Sequence, residues 1–131
     1  LSCEIGELTL VVPKEHLLSV CEILKKQACF GFEQLTDLCG VDYLHYGMDE
    51  WTTDEATGTG FERGVKRLEA ITQNPSFPKR FAVVYHILSY ANNHRMRLRV
   101  FLDEADLLVD SVCGIWSGAN WFEREAFDLF G

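Results

Sequence analysis

No stretch of the sequence approaches the roughly 18 consecutive apolar residues that a bilayer-spanning helix requires, and no charged-then-apolar leader is present. Basic residues are scarce: 12 Lys+Arg stand against 20 Asp+Glu, a formal charge of −8 that repels nucleic acid and anionic membrane surfaces. The five cysteines, Cys3, Cys21, Cys29, Cys39 and Cys113, have no C-x-x-C pair and no regular spacing. A disulfide framework is not expected from them, nor an iron–sulfur or zinc site built from this chain alone. Cys21 falls on the apolar face of a helical pattern, where a free thiol behaves as a small hydrophobe. The histidines His16, His45, His86 and His94 stand at neither H-x-x-x-H nor E-x-x-H spacing, and GxGxxG, Walker A and G-x-S-x-G segments are all absent. The common routes to metal, phosphate and acyl-transfer chemistry are closed.

What is present is enough for one domain. The chain has 131 residues, 47% of them hydrophobic, which supports a single core and not two. Because it starts at Leu1 and stops at Gly131, it reads as a trimmed piece of a longer protein. A strand is expected over 6–12, closed by Pro13, and an amphipathic helix over 14–28, with Leu17, Val20, Cys21, Leu24 and Ala28 inward and a stop near Gly31. Phe32, Leu35 and Leu38 suggest a short helix before a break at Gly40 and an extended segment over 41–44, where Asp42 caps a turn. Residues 46–60 lose periodicity and read as a mobile acidic loop. A short helix over 61–72 closes this insertion, taken as flexible over about 47–79, and Pro75 and Pro78 end it.

The centre is a hairpin. Residues 81–90 are apolar on both faces, Asn92-Asn93 tolerates positive φ, and residues 95–102 return in strict alternation. Met96, Leu98, Val100 and Leu102 point one way; Arg95, Arg97, Arg99 and Phe101 point the other. Three arginines on one face need carboxylates, either from the protein's own acidic loop or from another chain. After the turn 103–106, Leu107–Asp110 extends and Ser111 caps a brief helix ending at Gly118. The expected architecture is a two-layer α+β domain, with helices packed on a mixed sheet centred on the antiparallel hairpin.

The last twelve residues, Asn120 to Gly131, wedge four charges between large apolar side chains. As a helix this stretch has Asn120 as its cap, Glu123 as the capping-box carboxylate and Gly131 as the left-handed stop. Phe122, Ala126 and Leu129 then share one side, with Phe127 and Phe130 beside them. Arg124 and Asp128 stand at i, i+4 in the weaker order, and Asp128 sits at the negative pole of the helix dipole. Such a strip is either a solvated face or a set of contacts completed from outside. Glu125 and Asp128 as an acid–base pair would lack a pocket, a histidine and a metal.

The run Trp121, Glu123, Arg124, Glu125, Asp128, Phe130, Gly131 resembles the Trp-x-Glu-Arg-Glu-x-x-Asp-x-Phe-Gly signature of the C-type (30 kDa-type) subunit family of respiratory NADH:quinone oxidoreductase, complex I. Gly40-Val41-Asp42-Tyr43, the strand from Arg80 to Ser89, the basic return strand and the Ser111-Val112 turn before Trp116 also match, so the resemblance covers all but the 47–79 insertion. Subunits of hydrogenases and formate hydrogenlyases are similar in the same domain. The resemblance implies a non-catalytic scaffold of the peripheral arm, on the cytoplasmic side of the bacterial inner membrane. It implies no cofactor in this chain, while the complex uses NADH, FMN, iron–sulfur clusters and quinone. The D-type subunit is the implied chief partner, with the B-type subunit and the ferredoxin-like I-type subunit. Trp121, Glu123, Arg124, Glu125, Phe127, Asp128, Phe130 and Gly131 become the expected interface, with Arg97 and Arg99 as secondary candidates. The alternative from another class is an independent enzyme or ligand-binding domain, which a deep pocket enclosing titratable groups would favour.

Overall fold

The computed structural model describes residues 1–4, 6–48, 51–53, 65–67, 71 and 73–131. Strands β1 (Ser2–Glu4) and β2 (Glu7–Val11) lead through a 3-10 turn at Lys14–His16 into α1 (Leu17–Lys26). Then follow β3 (Gln34–Asp42), β4 (Trp51–Thr53), β5 (Val65–Arg67), β6 (Phe81–Ser89), β7 (His94–Leu102) and α2 (Ala119–Phe130). Five strands form one mixed sheet in the order β1-β2-β7-β6-β3; β2 runs parallel to β7 and the other neighbours are antiparallel. The two-layer α+β architecture is as expected.

The hairpin β6–β7 is in register from Phe81↔Leu102 to Ser89↔His94, and Asn93 takes φ 51° at its turn. Alternation decides its faces. Met96, Leu98, Val100 and Leu102 are buried, and the register sets Ile87, Tyr85, Val83 and Phe81 beside them. On this face Leu17, Cys21 and Leu24 of α1 join the core, together with Val112, Trp116 and Ala119 ahead of and at the start of α2. Trp116 is locked in place by donating its indole N–H to the Phe32 carbonyl at 3.0 Å. The polar tip of the largest core side chain is thereby satisfied.

Several local expectations fail, each for a physical reason. Phe32, Leu35 and Leu38 do not mark a helix: β3 is a nine-residue strand paired with β6. Its register shifts between Leu35 and Asp37, and the extra residue Thr36 donates its hydroxyl to the His86 carbonyl. A bulge of this kind turns the strand's two-residue period into a three-residue step, so Leu35 and Leu38 are both buried, in imitation of helical spacing. The first helix starts at Leu17 after the 3-10 turn and ends at Lys26; Ala28 is exposed beyond it, and Gly31 (φ 54°) closes the following turn. Strand β1, which the sequence did not suggest, pairs with β2 across Gly6 at φ 76°.

The mobile loop expected over 46–60 and the helix over 61–72 lie mostly outside the described residues. Where the insertion is described, Trp51–Thr53 and Val65–Arg67 form an antiparallel ladder, so that part of the expected helix is strand. The brief helix expected after Ser111 is a series of turns, with the Val112 carbonyl accepting from Ile115 and Trp116.

A candidate interaction surface on the closing helix

Helix α2 begins one residue before the expected cap. Gly118 occupies the N-cap, and Asn120 lies inside the helix. The preceding turn supplies acceptors in its place: Ala119 N–H donates to Trp116 O at 2.9 Å and Asn120 N–H to Ser117 O at 3.4 Å. The orphan amides of a helix start need no side-chain cap here. Gly131 is the stop the sequence indicated, with φ 95° and its N–H on Phe127 O at 2.8 Å.

Freed from capping, Glu123 binds the loop before the helix. Its carboxylate accepts from Ser111 Oγ at 2.6 Å, Val112 N–H at 2.8 Å and Cys113 Sγ at 3.3 Å. Ser111 Oγ in turn accepts from Cys113 N–H at 3.2 Å. One carboxylate thus ties the 111–113 turn to α2.

The other motif charges point outward. Arg124, Glu125 and Asp128 are exposed, and among the described residues Arg124 makes no ion pair with Asp128. Its guanidinium lies over the Trp121 ring, 5.3 Å from the centroid, one turn away. Among the described residues, Glu123 is the one of the four charges that makes a polar contact fixing α2.

The apolar side chains divide in the same way. Phe122 and Ala126 are half-buried and pack on the core. Phe130 seats on β3, its ring in the notch left by Gly40, where an added Cβ would meet Phe130 ring carbons at 2.6 Å, and its edge meets Phe81 at a centroid distance of 6.4 Å. With Phe130 turned to the sheet, Leu129 faces solvent instead of sharing the inner face. Trp121, Phe127 and Leu129 are 74%, 70% and 72% exposed, and Leu108 on the neighbouring loop is 79% exposed. Solitary exposed apolar residues are ordinary; four large ones on one helix and its adjoining loop are not. The contribution of Leu107 and Leu108 was missed from the sequence, although an apolar pair straight after an acidic turn is visible in it.

Between α2, the end of β3 and the 107–111 loop runs a groove of about 290 Å³, lined chiefly by apolar side chains such as Leu38, Phe81, Leu102 and Phe127. Its titratable groups are Tyr85, Asp110 and Glu123. Burial raises the Tyr85 phenol well above its usual range, so it stays protonated, and Glu123 is committed to the 111–113 turn. Asp110 is the remaining carboxylate of the groove and is exposed. Burial also raises the thiol of Cys39, with the charges of Asp37 and Glu125 adding to the effect, and pushes Cys21 up to about 12. Among the described residues no three metal-ligating side chains cluster.

Two further sequence candidates lie elsewhere. Arg97 pairs with Glu7 of β2, across the parallel ladder and not on the acidic loop, most of which is outside the described residues. Arg99 has Tyr43 and Phe101 around it. Asp42 does cap its turn, accepting from Leu44 N–H at 2.9 Å, and also holds Arg80 at 2.7 Å.

Comparison with known proteins gives a consistent set of relatives. The family model described as respiratory-chain NADH dehydrogenase, 30 Kd subunit, matches residues 10–131. The C-type subunit of NADH-quinone oxidoreductase from Legionella pneumophila (strain Corby) is 52% identical over 126 residues, covering 96% of this chain and 55% of that protein. Its counterpart from Coxiella burnetii (strain RSA 493 / Nine Mile phase I) is 52% identical over 119 residues, covering 88% and 51%. The chain spans about half the length of the curated relatives it matches. A solved structure described as Nqo5 of a trypsin-resistant fragment (1-134) superposes with a TM-score of 0.68 at 30% identity, covering 96% of this chain and 76% of that one.

Proposed function

Because the chain belongs to the respiratory-chain NADH dehydrogenase 30 Kd subunit family, we propose that it acts as a non-catalytic scaffold in the peripheral arm of an NADH:quinone oxidoreductase. In that role it supports electron transfer from NADH to quinone, coupled to proton translocation, without holding a redox group itself. NADH, FMN, the iron–sulfur clusters and quinone belong to other subunits, which supply the redox chemistry. The neighbours it serves are the D-type subunit chiefly, then the B-type subunit and the ferredoxin-like I-type subunit, on the cytoplasmic side of the inner membrane. No described helix is long and apolar enough to cross a bilayer, in keeping with a peripheral place.

The observation that carries this reading is the α2 surface. Trp121, Phe127 and Leu129 stand in solvent, Phe127 lines a groove together with the exposed Leu108, and Arg124 lies over Trp121. Aromatic and arginine side chains in this combination are the usual anchors of protein interfaces, and an apolar groove next to them gives a partner something to fill. The exposed Glu125 and Asp128 then find donors on the neighbour, which accounts for a carboxylate at the unfavourable helix pole.

The reading is tested in the full-length protein. Arg124→Ala or Glu125→Ala should lower the yield of assembled complex more than the turnover of the complex that does assemble. Normal assembly with lost turnover overturns the scaffold role. A tagged pull-down from membranes should recover flavin and iron–sulfur absorbance; hydrogenase activity in its place would move the chain to the related hydrogenase assemblies.

A further inference from the structure

On the sheet face opposite the helices, β7 projects Arg95, Arg97 and Arg99. Arg97 is neutralised by Glu7. Arg95 and Arg99 meet no carboxylate among the described residues, although the whole chain carries 20 acidic and 12 basic residues. Arg99 is the sharper case. It is half-buried, its guanidinium carbon is 5.5 Å from the Tyr43 ring centre and 5.8 Å from that of Phe101, and its Nε is buried with no hydrogen-bond partner among the described residues. A guanidinium has five N–H donors, and a buried one without an acceptor is destabilising.

The backbone that carries Arg99 is held on both sides: strand β7 is hydrogen-bonded to β2 and to β6. Tyr43 is buried and stacked on Phe77 at 4.0 Å, and the buried Asn74 amide holds the Tyr43 and Tyr46 carbonyls at 2.8 and 2.9 Å. Toward the hairpin end, a groove of about 280 Å³ lined by Thr36, His86, Arg95 and Arg97 continues the same face. Glu7 lines this groove as well and Asp37 is paired in register with His86, so Arg95 and Arg99 are the cations of this face without a carboxylate among the described residues, in a protein whose net charge of −8 repels nucleic acid and lipid polyanions.

We propose that this face of β7 is a second docking surface, and that its occupant is an acidic segment of another subunit whose carboxylates engage Arg95 and Arg99. The inference rests on the chain being part of a multi-subunit assembly. The planar guanidinium fork matches a carboxylate bidentately, which an ammonium does not, and aromatic stacking holds the Arg99 fork in one plane. The surface lies on the other side of the sheet from α2, so one subunit grips two neighbouring segments.

The test uses full-length protein carrying Arg95→Lys or Arg99→Lys, purified within its assembled complex and treated with a water-soluble carbodiimide, which joins a lysine amine to a carboxylate in contact with it. Mass spectrometry should find position 95 or 99 linked to an Asp or Glu of a different subunit, a link that the unsubstituted protein cannot form. Arg99→Glu should lower recovery of that subunit about tenfold, the scale of one lost anchor. Links only to Asp54, Glu55 or Glu62 of the same chain, links only to a second copy, or no link at either position in an assembled complex would each overturn the proposal. Arg95 is exposed, so its lysine variant leaves the fold intact. Recovery of the complex without cross-links sinks this inference alone, whereas failure of the unsubstituted chain to co-purify with any subunit sinks the scaffold reading.

Discussion

Replacing Glu123 with Ala should unfold this domain at a markedly lower temperature, although Glu123 belongs to a stretch whose other charges lie on the surface. Its carboxylate receives the Val112 N–H at 2.8 Å, and Val112 is completely buried. Without it that amide has no acceptor, at a cost of about 1–3 kcal/mol. Ser111 is exposed and takes water instead, so its 2.6 Å bond adds little to the loss. The half-buried Cys113 thiol, at 3.3 Å, is a weak donor and adds little more. A total of about 2–3 kcal/mol corresponds to a fall of roughly 10 °C in Tm for a domain of this length. Glu123→Gln keeps a carbonyl for Val112 and should lose about half as much. Thermal unfolding by circular dichroism measures the shifts, and amide exchange at Val112 reports the site directly. If Glu123→Ala melts within about 1 °C of the parent, or the Val112 amide stays equally protected, the carboxylate does not hold the turn as argued.

Gly40→Ala should displace the Phe130 ring, since the new Cβ would meet it at 2.6 Å. The loss of its partial burial and of its edge contact with Phe81 is worth about 1–2 kcal/mol, and Gly40→Ala in a Phe130→Ala background should cost clearly less. Asp42→Asn should show its effect as a pH dependence. The hydrogen bonds from Arg80 depress the Asp42 pKa below its usual 3.8, so its contribution is fully present above pH 3.8 and is lost as pH falls through the lower folded value. The stability difference between parent and variant should therefore be flat above pH 3.8 and shrink below it in acid titrations followed by fluorescence. With a thiol reagent under native conditions, exposed Cys3 and Cys29 should react within minutes while Cys21, buried and with its pKa pushed up to about 12, should react only on unfolding, as peptide mapping would reveal.

Much of the frame was legible because its signals are local. The alternation Met96, Leu98, Val100, Leu102 reports a strand with one buried face, and those four side chains are buried. Asn93 and Gly131 sit where positive φ is needed, and both adopt it. The i, i+4, i+7 set Leu17, Cys21, Leu24 reports the inner stripe of α1. Residue type and spacing suffice for these features because backbone geometry imposes the period on a single segment.

Tertiary structure decided whatever depends on what a segment meets. Leu35 and Leu38 acquired helical spacing from a bulge opposite His86, and the bulge exists only in the pairing of β3 with β6. Ser111 and Glu123 each looked like a helix cap, and each serves the other instead, because the turn before α2 already supplies the first acceptors. From sequence alone, the closing stretch was a short amphipathic helix with a recognisable signature and a definite stop. Which of its charges work inside the fold was settled only when α2 lay against β3 with Phe130 in the Gly40 notch. That seating turns Glu123 toward the loop and leaves Trp121, Arg124, Glu125, Phe127 and Asp128 in solvent, since a helix rotated by one residue presents a face about 100° away.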